Sequence, residues 1–550
     1  MKKKLPILIV LLACFSLVIV ACSKNGSSDN GVLTTEQIKK NIGSKLIKTR
    51  ENSQKELNKK YQEKVKNTSY TLDNPYMKVN PYKTSPLSAL VIFHTNKAAK
   101  ITYTVEGKSD NTSLTNKVNG GYSKTHQVPI VGLYANYNNT VTITAKYKDG
   151  TSETKTLNIK TGSLPKYIKN AKVTVSKNDK SKMDIGDNKL TIINRTTKEP
   201  FAIDADGEVR WYSTNYSQHT IEQISNGHML ILTKKKTSSD VYNDLIETDV
   251  LGRIYKEYSF SSSTKSNDSG NAKDETTVIH HDLLELPNHD LLATVSDGSK
   301  YKEDVMVQIS HKTGKVVKVI DLKKILPSSM YKDYKAGTDK KIDWFHQNAV
   351  DYDKSDNSII ISGRNQDMIL KLDYKTNKII WIYSGKAKAT WPKKYRDKIL
   401  TPTKGTTITG GQHGLYVLKH SGNSEDVILY DNNINVTNGN KKTSGKYSQA
   451  VQYHIDTKKM TIDQTWSYGK SLGKDNFTSI IGYAQRESNG NTLIDFGFKK
   501  NGDESNIIEV DADGNQVFNV TVKNAASKAY AYRAYRVPFY SNNYVFDVNK

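Results

Sequence analysis

Cysteine is nearly absent. The 550 residues hold two, Cys14 and Cys22, both close to the N-terminus. The rest of the chain therefore has no thiol for a disulfide, a cysteine nucleophile or a thiolate metal site. A C/S-x-P-x-R motif, which a formylglycine sulfatase needs, is also missing. So are a phosphate-cradling glycine loop and the α/β pattern that a nucleotide-dependent transferase would carry. Net charge is +25, yet the lysines are spread along the chain, with no basic block to mark a nucleic-acid binder. An anionic cell envelope or small anionic substrates suit such a chain better, and no nucleic-acid partner is expected.

Long apolar runs are equally scarce, and the one that stands out opens the chain. Lys2, Lys3 and Lys4 precede Leu5–Ala21, and small Ala21 stands before Cys22. That is the layout of an export signal rather than of a membrane span. Ile19-Val20-Ala21-Cys22 resembles a bacterial lipobox. The resemblance implies cleavage before Cys22, a lipid on its sulfur, and a protein held on the outer face of the cell membrane. Residues 1–21 are thus read as signal peptide. Residues 22–69 are read as a tether, SKNGSSDNG, and a charged helical spacer from Thr34 to about Lys66. Ile38, Leu46 and Leu57 make that spacer only weakly amphipathic, which predicts a solvated stalk.

From residue 70 the period of the apolar residues changes to two. ALVIFHT, KITYTVEG, TVTITAKYKDGT and ETKTLNIK, separated by Gly, Asn and Asp, predict a small β-sandwich over 70–164. Residues 165–550 repeat. DADGEVRWY, DVLGRIYKEY, HKTGKVVKVI, DYKTNKIIWIY, DTKKMTIDQTWSY and DADGNQVFNV start at 204, 249, 311, 373, 456 and 511. Apolar–turn–apolar units such as EQISNGHMLIL and QRESNGNTLIDF fall between them. Six irregularly spaced all-β repeats predict a six-bladed β-propeller whose last blade is closed by strands from both ends of the domain.

The repeats sort the histidines. His228, His289 and His311 stand in turns where sister repeats have Asn, Gly or Asp. His94 and His126 belong to the sandwich. His219 and His454 read as surface or packing residues near strand starts, and His420 as an exposed residue before a turn. His280-His281, His346 and His413 remain. His280 precedes Pro287, and His346 precedes Asp353, by seven residues; His413 precedes the Ser421-Gly422-Asn423 turn by eight to ten. Inner-strand starts converge on a propeller's channel, so three imidazoles in register point to a site rather than to scattered core positions. Arg364 follows His346 by 18 residues, and its planar fork suits a tetrahedral oxyanion. Asn348 shares a strand face with His346.

HHDLLELPN, DWFHQNAVDYD, SGRNQDMILKLD, GGQHGLYVL and YRAYRVPFY resemble the bacterial arylsulfate sulfotransferase family. NPYKTSPLSALVIFHTN and HQVPIVGLYANYNNTVTI resemble that family's N-terminal domain. The resemblance runs from about Asn74 onward. It implies transfer of a sulfuryl group from an aryl sulfate donor to a phenolic acceptor without a nucleotide donor or other cofactor. It makes His413, in GGQHG, the transiently sulfated nucleophile, and His346, Asn348, Arg364 and one of His280 or His281 its partners. Blade register favours His280 as the acid/base, because it aligns with His346 without a gap; adjacent strand residues face opposite ways, so only one of the pair should point into the channel. The family's disulfide-dependent folding is not expected here, because the mature chain has no thiol pair.

Two further readings stay open. Three histidines could hold zinc, although Arg364 would repel it, so no metal is expected. A non-catalytic, envelope-anchored propeller capturing anionic glycans or small anions would keep Arg364 but not require His413. A homodimer is compatible with either.

Overall fold

The computed structural model describes residues 31–235, 241–261, 277–524 and 528–550. The signal segment and Cys22 lie outside them.

The sandwich expectation holds in outline. Its organiser is one long strand, Ser88–Val105. The first half pairs with Tyr76–Val79 and Ser123–Val131; the second half pairs with Leu114–Lys117 and Asn138–Tyr147. One strand thereby serves both layers: Ala89 to Phe93 are buried on both faces, whereas Ile101, Tyr103 and Val105 are buried in alternation.

The propeller sheets among the described residues number six. From the inside outward, five of them contain Ile221–Gln223 to Ile254–Ser259, Ile279–Glu285 to Val316–Asp321, Gln347–Asp353 to Ile379–Ser384, His413–Ser421 to Thr461–Tyr468, and Tyr483–Arg486 to Gln516–Lys523. The remaining sheet takes its inner strand, Ala531–Pro538, from the far end of the chain and pairs it with Lys189–Arg195. Lys172–Asn178 adds an outer strand beside Gln516–Lys523. Both ends of the domain thus close the ring. The repeated aspartates do the work of turns: Asp249 Oδ1 accepts from the N–H of Leu251 and Arg253, and Asp373 Oδ1 from that of Thr376.

The spacer is not a solvated stalk. It folds as helix α1 (Thr35–Ile42), strand β1 (Lys45–Ile47) and helix α2 (Thr49–Lys66). β1 extends the second sheet by pairing with Ile254–Ser259. Ile38 and Ile42 are fully buried in the propeller core, and burial of an isoleucine stabilises by about 1.5–3 kcal/mol. Arg50 pairs with Asp244, at 2.7 Å, and with Glu257. A helix so charged needs few apolar anchors once a sheet edge and two buried carboxylates receive it.

His420 also departs from its expected exposure. Its side chain is packed between two sheets, with Nδ1 2.6 Å from Asp353 Oδ2, beside fully buried Lys371.

Candidate active site

His413 opens the inner strand of its sheet, and the glycines around it have separate tasks. A side chain on Gly410 would collide with the Ile434 carbonyl, so the backbone can pass only without one. Gly414 adopts φ 60°, and a Cβ there would strike the Tyr483 ring. Gln412 locks the approach: its amide donates to Ser362 Oγ and to the carbonyls of Gly363 and Met368.

The imidazole itself is buried and held by Asn432, whose Oδ1 lies 2.7 Å from His413 Nδ1. Asn432 Nδ2 donates to the carbonyls of Thr478 and Ile481 at 3.0 and 2.8 Å. The amide orientation is fixed by those two carbonyls, so Oδ1 accepts and His413 Nδ1 carries the proton. Nε2 keeps the lone pair, with the Ile481 N–H 3.3 Å away. Burial, reinforced by the Arg364 charge, holds the His413 pKa well below the usual imidazole range. His413 is therefore a neutral base whose Nε2 lone pair accepts the Ile481 N–H and must exchange that bond for sulfur to attack.

His346 is its opposite in charge. Nδ1 lies 2.7 Å from both Asp343 Oδ2 and Glu303 Oε2. Burial alone would discharge the ring, but the two carboxylates outweigh it and raise the pKa to about 9. Glu303 is held well below the carboxylate range because His346 and His281 overcome its own burial. The same Glu303 Oε2 is 3.1 Å from His281 Nε2, and His281 Nδ1 is 3.0 Å from the Tyr532 hydroxyl. A carboxylate only accepts, so His281 Nε2 carries a proton and faces Glu303.

The member of the histidine pair engaged with this network is His281, not His280. His281 has φ 53°, and the pairing of its strand slips between Ile279 and Leu283. The strict in–out alternation that favoured His280 therefore fails. His281 stacks on His219 at 5.0 Å and lies 4.7 Å from the His346 ring. His280 is buried, with neither ring nitrogen hydrogen-bonded among the described residues, and burial lowers its pKa to about 3. The register argument also shifts by one residue: the left-handed positions are His281, His346 and Gly414, and His413 stands just ahead of the last.

Arg364 begins the loop between the second and third strands of the sheet whose inner strand is Gln347–Asp353, and its backbone N–H donates to the His346 carbonyl at 3.1 Å. Nη1 reaches Asn365, while buried Nε has no partner among the described residues. Asn348 does not aim its amide at the same space. Its Nδ2 donates to the Gln412 carbonyl at 2.7 Å, so it braces the segment that carries His413.

Sequence reasoning missed Glu303, Tyr532, Asn432 and His219. His219 is a site residue, with its Nδ1 accepting from the His281 N–H at 3.3 Å. Glu303 sits in the same kind of loop as Arg364, and that equivalence was the available signal. A second signal is conformational. His219, His281, Glu303, His346 and Ile481 all have φ between 53 and 59°, a region that costs non-glycine residues of order 1–3 kcal/mol each. Strain gathered around one imidazole marks a built site. Ligand atoms of His280, His281 and Glu303, and of Glu303, Asp343 and His346, also lie within 4.8 Å of one another, close enough to hold a cation.

Comparison with known proteins places this geometry. The chain matches the arylsulfotransferase (ASST) family over residues 172–533 and the arylsulfotransferase Ig-like domain over 76–162. It is 24% identical over 529 residues to an arylsulfate sulfotransferase of Escherichia coli O6:H1, covering 76% of this chain and 84% of that protein. The figures for the arylsulfate sulfotransferase of Lelliottia amnigena are 24% over 526 residues, 76% and 84%. The periplasmic gluconolactonase of Pseudomonas aeruginosa, 8% identical, aligns over 80% of this chain and 99% of its own with a TM-score of 0.34. With a matched segment running from the outermost added strand of the ring into the strand that closes it, and a second match on the sandwich, the chain belongs to the arylsulfotransferase family.

Proposed function

We propose that this protein moves a sulfuryl group from an aryl sulfate ester to a phenol through a sulfated His413, with no nucleotide donor. The observation that carries the reading is the His413–Asn432 pair, which leaves a neutral imidazole with its lone pair on Nε2 beside a buried arginine.

In the first half-reaction His413 Nε2 bonds to sulfur and the sulfur–aryl oxygen bond breaks, its electron pair leaving on the phenolate. Arg364, charged His346 and the Ile481 N–H stabilise the sulfuryl oxygens. His281, its Nε2–H held by Glu303, gives a proton from Nδ1 to the phenolate by way of the Tyr532 hydroxyl that meets it. In the second half-reaction the neutral His281 takes the proton of the acceptor phenol, and that oxygen displaces Nε2 from sulfur. Protons and charge are thereby restored. The partner of Nδ1 is a neutral amide rather than a carboxylate, so the sulfated ring keeps its Nδ1 proton and remains an activated donor. General acid–base help of this kind is worth roughly 10²–10⁴ in rate.

The same reading places the protein on the outer face of the cell membrane, anchored through Cys22, with no metal or cofactor. Its site is assembled from one chain.

The test is p-nitrophenol release from p-nitrophenyl sulfate, with and without phenol, for the native chain and His413→Ala. Phenol-dependent release, absent from the variant, is expected. Anion binding without release by either protein would favour the non-catalytic anion-capturing propeller.

A further inference from the structure

The sheets are antiparallel, so the segment entering each inner strand and the loop joining its second and third strands lie at one end of the ring. His281, His346 and His413 stand at those entrances, and Glu303 and Arg364 in those loops, so the candidate site opens toward that end. Two independent features share it.

The first is where the N-terminal strap arrives. Gly31 lies against the side chain of Lys300, Lys324 Nζ donates to the Leu33 carbonyl at 2.9 Å, and Asn41 donates to the Asp297 carbonyl. Lys300 and Asp297 belong to the loop that carries Glu303. Cys22 is nine residues before Gly31, a reach of at most about 30 Å when extended.

The second is charge. Residues 385–398, which begin the segment leading to His413, contain six Lys or Arg against the single acid Asp397, and residues 432–448 contain three Lys and no acid. Lys388, Lys393, Lys394, Lys441 and Lys442 are exposed. Turns at the other end carry acid as well as base, as Asp373 with Lys375 and Lys378, or acid alone, as Asp511 with Asp513. The sandwich is seated at that other end, where Ser85 Oγ donates to the Val250 carbonyl.

We propose that the site-bearing face is a docking surface for an anionic lipid membrane, so that the mouth of the site is apposed to the lipid headgroups and amphipathic aromatic substrates enter from the interface. The basic loops carry the contact, and the strap that continues toward Cys22 meets the protein at this same end. The proposal rests on the sulfotransferase reading only for what passes through the mouth.

The lack of other thiols makes orientation measurable. In the non-lipidated chain from Ser23 onward, Lys442→Cys or Lys375→Cys creates a single thiol for a polarity-sensitive dye. Phosphatidylglycerol-containing vesicles are expected to blue-shift the dye at 442 and leave that at 375 unchanged, an effect lost at high salt. Lys393→Glu/Lys394→Glu/Lys441→Glu/Lys442→Glu is expected to weaken vesicle binding about a hundredfold while turnover of soluble p-nitrophenyl sulfate stays the same. A shift at 375 instead of 442, no vesicle binding, or retention only by a soluble anionic polymer would each overturn the proposal. These readouts need neither Cys22 nor catalysis, so their failure is separable from failure of the enzymatic reading.

Discussion

The N–H of Arg364 donates to the carbonyl of His346 at 3.1 Å, a main-chain hydrogen bond that joins the residues carrying the guanidinium and the charged imidazole. The pair presents two fixed cationic groups to one anion. Arg364→Lys keeps the charge but loses the planar fork. Donor kcat/KM is expected to fall by roughly 10²-fold or more, measured with p-nitrophenyl sulfate, with the fold unchanged by circular dichroism.

The two adjacent histidines should separate cleanly. His281 touches Glu303 and Tyr532, and His281→Ala is expected to lower kcat by about 10²–10⁴. His280 leaves both ring nitrogens unpaired in the interior, at a cost of about 1–3 kcal/mol. His280→Leu should therefore keep activity within a few-fold and raise the urea midpoint. Loss of activity only in the His280 variant would reverse the assignment.

The pH profile follows from opposite shifts. His346 has a raised pKa, about 9, so its charge is complete near neutrality and is lost as pH rises through that value. His413 has a lowered pKa and stays neutral across the same range. Donor kcat/KM should accordingly be flat from neutral pH and decline above about 9. Glu303→Gln removes one of the two carboxylates holding the His346 proton and should move this decline to lower pH.

Asn432→Asp tests the tautomer argument. A carboxylate on Nδ1 makes Nε2 a better nucleophile but draws the proton from the sulfated ring, making it a poorer leaving group. The expected result is a p-nitrophenol burst followed by slow turnover, with labelled sulfate retained on the protein. Equal slowing of both phases would sink the idea.

Ile38 distinguishes a clamped strap from a stalk. Ile38→Ala should cost about 2–4 kcal/mol in urea unfolding, because the side chain is fully buried. An unchanged midpoint would show that α1 does not hold in solution.

The fold could be read from the sequence because turn-opening aspartates such as Asp249 and Asp373 are local devices, each bonding its own turn, and they repeat. His413 was visible for a similar reason: only a backbone squeezed between Ile434 and Tyr483 needs Gly410 and Gly414 around one histidine. Glu303, Tyr532 and Asn432 were not visible, because each meets its histidine across 19 to 251 residues of chain. The choice within the histidine pair failed on one dihedral angle, at His281, which pattern alone does not encode. The strap was misread because its anchoring depends on a partner sheet edge, whereas its own composition is that of a solvated helix.

Tyr532, whose hydroxyl meets His281, belongs to the strand that closes the ring. A chain made from its N-terminus therefore holds all four site histidines, Arg364 and Glu303 before it holds that wall. Until residues 531–538 are released and dock beside Lys189–Arg195, the imidazoles line an open arc accessible to water. The order of synthesis thus withholds the enclosed site from every incomplete chain, and a stop codon between His413 and that strand yields a protein with its histidines present but no enclosed site.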